Sequence, residues 1–185
     1  MIKKVGVIGS GTMGSGIAQV AATSGCMVKL YDNDIDAVKK AEQSLDKILS
    51  RLIEKDRIDE NEKIRIQNNI SYVNSLKDLN DPELIIEAIV EDLGIKQKVF
   101  TELENYVSDA CIIATNTSSL SVASISSALK RPDRCIGIHF FNPAPQMKLV
   151  EVIPCIQTDQ EFLNISVVTN NNWCKTLAVA KYKPV

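Results

Sequence analysis

Short apolar runs alternate with longer stretches of helical periodicity through most of this chain. Residues 2–8 form the first run, and Ile17-Ala18-Gln19-Val20-Ala21-Ala22 follows with helical spacing and stops at Gly25. A second run, Met27-Val28-Lys29-Leu30-Tyr31, ends at Asp32. From Asp34 to about Lys55 the apolar positions Ile35, Val38, Ala41, Leu45, Ile48, Leu49 and Leu52 recur at helical intervals among charged residues, which predicts a long amphipathic helix. Residues 60–69 predict a shorter one. A parallel crossover needs only about a dozen residues, so this longer excursion is expected to project as a helical hairpin beside the sheet. Further strands are predicted at 70–73, 84–89, 111–115 and 134–139, with helices at 95–103 and after Ser121. Strands alternating with helices define a Rossmann-type, doubly wound α/β fold, a mostly parallel sheet with helices on both faces. Right-handed crossovers put the strand-to-helix loops on one edge, where ligands bind. Gly9–Gly14, Asp32, Glu91, Ser118 and His139 all fall on that edge.

Composition narrows the picture only a little. At 185 residues, 45% apolar, 24% charged and net charge −2, the chain suits one globular domain. It has no basic surplus to suggest nucleic acid or an anionic membrane as a partner. No apolar stretch approaches the length of a membrane span, and the N-terminal run is too short for a signal peptide. The five cysteines are widely spaced and lack any Cys-x-x-Cys pair. That pattern argues against a disulfide framework or a metal site and fits small core residues in a reducing, cytoplasmic setting.

The most specific chemistry begins at Gly9-Ser10-Gly11-Thr12-Met13-Gly14. A Gly-x-Gly-x-x-Gly string alone is weak. Here it follows a predicted strand, opens a predicted helix and precedes a second strand that ends on an acidic residue, Asp32. Gly9 suits a tight turn, Gly11 lets backbone approach a pyrophosphate, and Gly14 lets the helix pack on the sheet. Free N–H groups at the helix start favour phosphate. Asp32 suits the adenosine ribose hydroxyls and would repel a 2′-phosphate. Asn33 and Asp34 follow it rather than an arginine, so NAD is expected over NADP, and the histidine site described next fits a nicotinamide better than FAD.

The only histidine stands in His139-Phe140-Phe141-Asn142-Pro143, with Glu151 twelve residues on. An imidazole exchanges protons near neutrality, and a carboxylate on its far nitrogen would fix the tautomer and stabilise the imidazolium. Strand alternation puts Glu151 on a face with Leu149 and Ile153, where a partly buried carboxylate needs a partner. Seen alone, a single histidine is more often a core or surface residue with a local hydrogen bond; the nucleotide loop tips the reading toward catalysis. Lys47, Arg51 and Lys55 form a cationic stripe on the long helix. Its ordinary reading is a solvated face balanced by Asp46, Glu54 and Asp56, and the alternative is recognition of phosphates on a large anionic substrate.

Together the glycine loop, Val90-Glu91-Asp92 with Lys96, Asn116-Thr117-Ser118-Ser119-Leu120, and His139–Pro143 with Met147–Val152 resemble the 3-hydroxyacyl-CoA dehydrogenases, the 3-hydroxybutyryl-CoA enzymes of bacteria above all. The resemblance covers residues 1 to about 160. It implies reversible NAD-dependent oxidation of a short 3-hydroxyacyl-CoA to the 3-ketoacyl-CoA, in fatty-acid or butyrate metabolism. It further implies that His139 takes the hydroxyl proton, Glu151 orients it and Ser118 binds the substrate oxygen. Glu91, Lys96 and Asn142 match cofactor-contacting positions, and Ser44, Arg51 and Lys55 fall near the acyl-CoA nucleotide. Apart from the resemblance, Ser118 reads as a helix N-cap that Ser119 or Ser121 would fill equally well.

The family also has a helical second domain, and a catalytic asparagine after a Pro-Gly-Phe turn. This chain stops at Lys183-Pro184-Val185, about where that turn is expected, and residues 170–174 replace a lysine- and glycine-containing turn. Residues 1–185 are therefore expected to be a single NAD-binding domain without the helical one. Its cleft side would be exposed and prone to homo-oligomeric association, and its activity alone would be reduced. A non-catalytic NAD-binding module and a dehydrogenase for another β-hydroxyacid are the alternatives.

Overall fold

The computed structural model describes residues 2–180; the Lys183-Pro184-Val185 end lies outside them. The elements run β1 (Lys4–Ile8), α1 (Thr12–Thr23), β2 (Met27–Tyr31), α2 (Ile35–Ile53), α3 (Glu60–Asn68), β3 (Ile70–Val73), β4 (Leu84–Glu87), α4 (Leu93–Leu103), β5 (Ile112–Thr115), α5 (Val122–Ser126), β6 (Cys135–Phe140), β7 (Leu149–Pro154), α6 (Gln160–Asn172) and β8 (Thr176–Val179). They build one eight-stranded sheet in the order β3-β2-β1-β4-β5-β6-β7-β8, parallel except for the β6–β7 pair. After β3 the chain returns to the sheet centre and lays β4 beside β1. The strand order reverses there, which opens the crevice that ligands use in such folds.

Alternation along each strand explains the two cores. Val5, Val7, Leu84, Ile86, Ile112, Ala114, Ile136 and Ile138 pack on one face with α1, α2 and Trp173. Their neighbours Ile8, Ile85, Ile113 and Cys135 pack on the other with Phe100 and Leu103 of α4 and Ile125 of α5. Strands buried on both sides read as continuous apolar runs. Four of the cysteines are buried free thiols, and Cys174 is exposed.

The excursion after β2 is the helical hairpin α2–α3. Asp34 caps α2 by accepting from Asp36 N, and Asp59 caps α3 by accepting from Glu62 N. Val38, Ala41, Leu45 and Leu49 form the buried stripe of α2. Lys63 ties the two helices together through Ser50 Oγ at 2.9 Å and Asp46 at 2.8 Å. Arg65 donates to the carbonyl of Thr23, so the hairpin is anchored on the end of α1 as well.

The last two elements, α6 and β8, escape the sequence pattern for a physical reason. Ser166, Thr169 and Asn170 are buried on α6 while Val168 is half exposed and Phe162, Leu163, Ile165 and Val167 are only partly buried against the core, which blurs the usual amphipathic pattern. The helix satisfies most of these groups itself: Ser166 Oγ donates to Phe162 O, Thr169 Oγ1 to Ile165 O and Asn170 Nδ2 to Ser166 O, while Asn170 Oδ1 stays buried without a partner among the described residues.

Candidate active site

The glycine loop has the geometry its spacing predicts. Gly9 has φ of 101°, a conformation that favours glycine. A Cβ on Gly14 would stand 1.7 Å from the Gly9 carbonyl oxygen, so only glycine lets α1 pack this closely. Over Gly11 the opposite holds: a Cβ there would meet nothing within 4 Å, which leaves the space a pyrophosphate needs. No side chain caps α1 and no acidic residue sits in its first turn, so the N–H groups around Thr12 and Met13 are free for an anion. These features fit a dinucleotide.

Asp32 organises this loop. Its Oδ2 accepts from Ser10 N at 2.7 Å and Ser10 Oγ at 2.9 Å, and Oδ1 accepts from Asp34 N at 3.0 Å. A carboxylate has about four acceptor sites, so capacity remains for a ribose hydroxyl.

Across the crevice, Glu91 is a junction between loops. Its Oε1 accepts from Thr117 Oγ1, Ser118 N, Ser119 N and Ser119 Oγ at 2.5 to 3.2 Å. Burial by itself would raise the Glu91 pKa; the hydrogen bonds from Thr117 and Ser119 and the Lys96 charge outweigh it and hold the carboxyl down at about 2. Lys96 is only 1% exposed and sits between Glu87 Oε1 at 2.5 Å and Glu91 Oε2 at 3.3 Å. Its ammonium is thus enclosed by two carboxylates. Ser118 is exposed and is not the helix cap, because Ser121 caps α5. A cavity of about 260 Å³ lies beside Ser118, lined by Thr117–Ala123 and by Ile153, Pro154 and Cys155.

His139 and Glu151 stand directly opposite one another on the antiparallel β6–β7 pair. His139 Nδ1 lies 2.8 Å from Glu151 Oε2. An ionised carboxylate only accepts, so this bond places the imidazole proton on Nδ1 and leaves Nε2 as a lone-pair acceptor. The Phe141 ring packs 4.6 Å from the imidazole, centroid to centroid. Asn116 Oδ1 accepts from Phe140 N at 2.8 Å and ties the Ser118 loop to the histidine strand. Asn142 is exposed in the turn that follows. That turn sits against α1, where a Cβ on Gly16 would come within 3.2 Å of Ala144. Lys175 holds it from the other side, donating to Ala144 O at 2.6 Å and Met147 O at 2.9 Å.

Ser44 and Arg51 are exposed on α2, and Lys55 lies in the turn beyond it. Among the described residues no hydrogen bond or ion pair links them to the loops at the sheet edge. Asp46 pairs with Lys63 instead of balancing the cationic stripe, which leaves Lys47, Arg51 and Lys55 without a carboxylate partner among the described residues.

Sequence reasoning overlooked Glu87, Thr115 and Lys175, and quoted Asn116 and Thr117 in a motif without giving them a role. Glu87 carried a readable signal, a carboxylate closing the otherwise apolar strand Leu84–Glu87. The others are ordinary polar residues whose roles depend on which loops meet.

A doubly wound sheet with this glycine loop at its switch point, and an acidic residue directly after β2, defines a dinucleotide-binding domain. Residues 4–182 match the family described as 3-hydroxyacyl-CoA dehydrogenase, NAD binding domain, and the chain belongs to that family. It is 49% identical over 150 residues to 3-hydroxybutyryl-CoA dehydrogenase of Clostridioides difficile, covering 81% of this chain and 53% of that protein. It is 40% identical over 184 residues to the mitochondrial hydroxyacyl-coenzyme A dehydrogenase of Rattus norvegicus, covering 96% and 57%. The fold superposes on the crystal structure of (S)-3-hydroxybutyryl-CoA dehydrogenase from Ralstonia eutropha with a TM-score of 0.96 at 36% identity, covering 100% of this chain and 65% of that one. The chain thus spans about half the length of the curated relatives it matches.

Proposed function

We propose that this domain serves the reversible oxidation of a short-chain 3-hydroxyacyl-CoA, such as 3-hydroxybutyryl-CoA, to the 3-ketoacyl-CoA. NAD, when bound, supplies the hydride acceptor. His139 takes the 3-hydroxyl proton at Nε2, and Glu151 orients the ring and stabilises it once charged. Ser118 donates a hydrogen bond to the same oxygen. Asp32 holds the adenosine ribose, the Gly9–Gly14 loop with Ser10, Thr12 and Met13 holds the pyrophosphate, and Glu91 and Asn142 border the nicotinamide. Lys96 acts on the cofactor through Glu91. Ser44, Arg51 and Lys55 contact the acyl-CoA nucleotide, a reading supported by the lack of carboxylate partners for the two cations.

The observation that carries this reading is the 2.8 Å contact between His139 Nδ1 and Glu151, with Nε2 left without a partner among the described residues. Residues 1–185 are read as one NAD-binding domain acting in a reducing, cytoplasmic compartment, consistent with its buried free thiols. Leu149, Ile156 and Val179 leave apolar surface exposed near β7 and β8, suited to association with another copy.

The test is reduction of acetoacetyl-CoA by NADH, followed by loss of the reduced nicotinamide absorbance. Because the relatives are about twice as long, slow turnover is expected from these 185 residues alone. His139→Gln should remove that turnover while sparing NAD binding. Loss of both together would make His139 a structural residue and overturn the proposal.

A further inference from the structure

We infer that Glu87 is a positioning residue for Ser118, acting through Lys96 and Glu91, an inference that rests on the catalytic reading above. Glu87 is fully buried at the end of β4, and each of its oxygens is used. Oε1 accepts from Lys96 Nζ at 2.5 Å and from Ile89 N at 2.7 Å, while Oε2 accepts from Thr115 Oγ1 at 2.7 Å. The carboxylate thereby joins the ends of β4 and β5 to the first turns of α4.

Lys96 is held between two carboxylates. The inner one, Glu87, is dry and fixed by backbone and Thr115 donors. The outer one, Glu91, is on the surface and gathers donors from three successive residues, Thr117, Ser118 and Ser119. An ammonium that has left water needs compensating partners. Glu87 provides the one whose position does not depend on the ligand crevice. With Lys96 so fixed, Glu91 has a stationary positive charge behind it, and the Ser118 loop has a stationary acceptor to fold around. The same loop is tied at Asn116 to Phe140, the residue after His139. Buried Glu87 thus holds the serine loop in place beside the histidine strand without touching substrate.

A purely structural role for the Glu87–Lys96 pair is the competing outcome, and the variants are chosen to separate the two. Glu87→Gln keeps the size of the side chain but removes the charge. Because it strands Lys96, the double variant Glu87→Gln with Lys96→Met is made alongside, so that no unpaired charge is left buried. The readout is hydrogen exchange at the Ser118 and Ser119 amides of the 185-residue chain, with the Ser10 amide as an internal reference. In both variants exchange at Ser118 and Ser119 should quicken about tenfold, the effect of losing one charge-assisted hydrogen bond, while Ser10 stays protected. In the acetoacetyl-CoA assay the single variant should lower kcat and, because Glu91 also borders the nicotinamide, raise the KM for NADH. Exchange that is unchanged at Ser118, or restored in the double variant, overturns the inference and leaves the pair as a folding element. An exchange response without turnover by the unmodified chain would instead count against the catalytic reading alone.

Discussion

Gly11 and Gly14, three positions apart, are required for opposite reasons. Gly14 is required by the protein, since an added methyl would collide with the Gly9 carbonyl. At Gly11 the protein imposes no such demand, since an added methyl would enter open space, and the requirement proposed there is the ligand's. Gly14→Ala is therefore expected to cost roughly 1–3 kcal/mol of stability, together with NAD affinity. Gly11→Ala should leave stability within about 0.5 kcal/mol while weakening NAD at least as much. Thermal unfolding and a calorimetric NAD titration on the two variants check this, and equal stability losses would contradict it. Asp32 likewise does more than its motif implies, because the carboxylate expected to bind ribose also holds Ser10.

At the level of elements, the loops after β4 and β5 behave as one unit closed by Glu91. The Glu91 carboxyl is held at about 2 in the folded chain against an ordinary value of 4.5. A depressed carboxyl stabilises the fold above its ordinary value and loses that contribution as pH falls toward the folded value. The stability difference between the parent chain and Glu91→Gln should therefore be full at neutral pH and shrink between about 4.5 and 2. Denaturant unfolding at successively lower pH measures it, and a difference that does not change across that range would show that Glu91 is not held as described. The β6–β7 pair is the other decisive element, because its antiparallel register puts Glu151 across from His139. In a parallel neighbour of β6 the same two residues, so close in sequence, would not meet.

For the whole molecule, the loops that follow the parallel strands line one edge of the sheet, and among the described residues no hydrogen bond or ion pair joins them to the cations of the hairpin. If the hairpin serves an acyl-CoA, binding should be separable. NAD at a hundredfold excess over its Kd should stabilise the 185-residue chain by about 2.7 kcal/mol, and free CoA should add a further rise that Arg51→Ala with Lys55→Ala removes. Protection by NAD without any by CoA would favour a different β-hydroxyacid. No described helix is long and apolar enough to cross a membrane, and no described cluster of side chains is arranged to hold a metal ion.

The sequence by itself determined the alternation of strands and helices, the hairpin, the glycine loop with Asp32, and the histidine with its carboxylate. Each depends on local periodicity or on the steric and ionisation properties of single residues, which a linear pattern carries. Only the tertiary structure decided that α6 turns its polar residues inward, that Lys96 is buried between Glu87 and Glu91, and that Asn116 joins the serine loop to the histidine strand. Those arrangements follow from which loops the parallel strands set side by side. A hydrogen bond between residues some 25 positions apart leaves no periodicity in the chain.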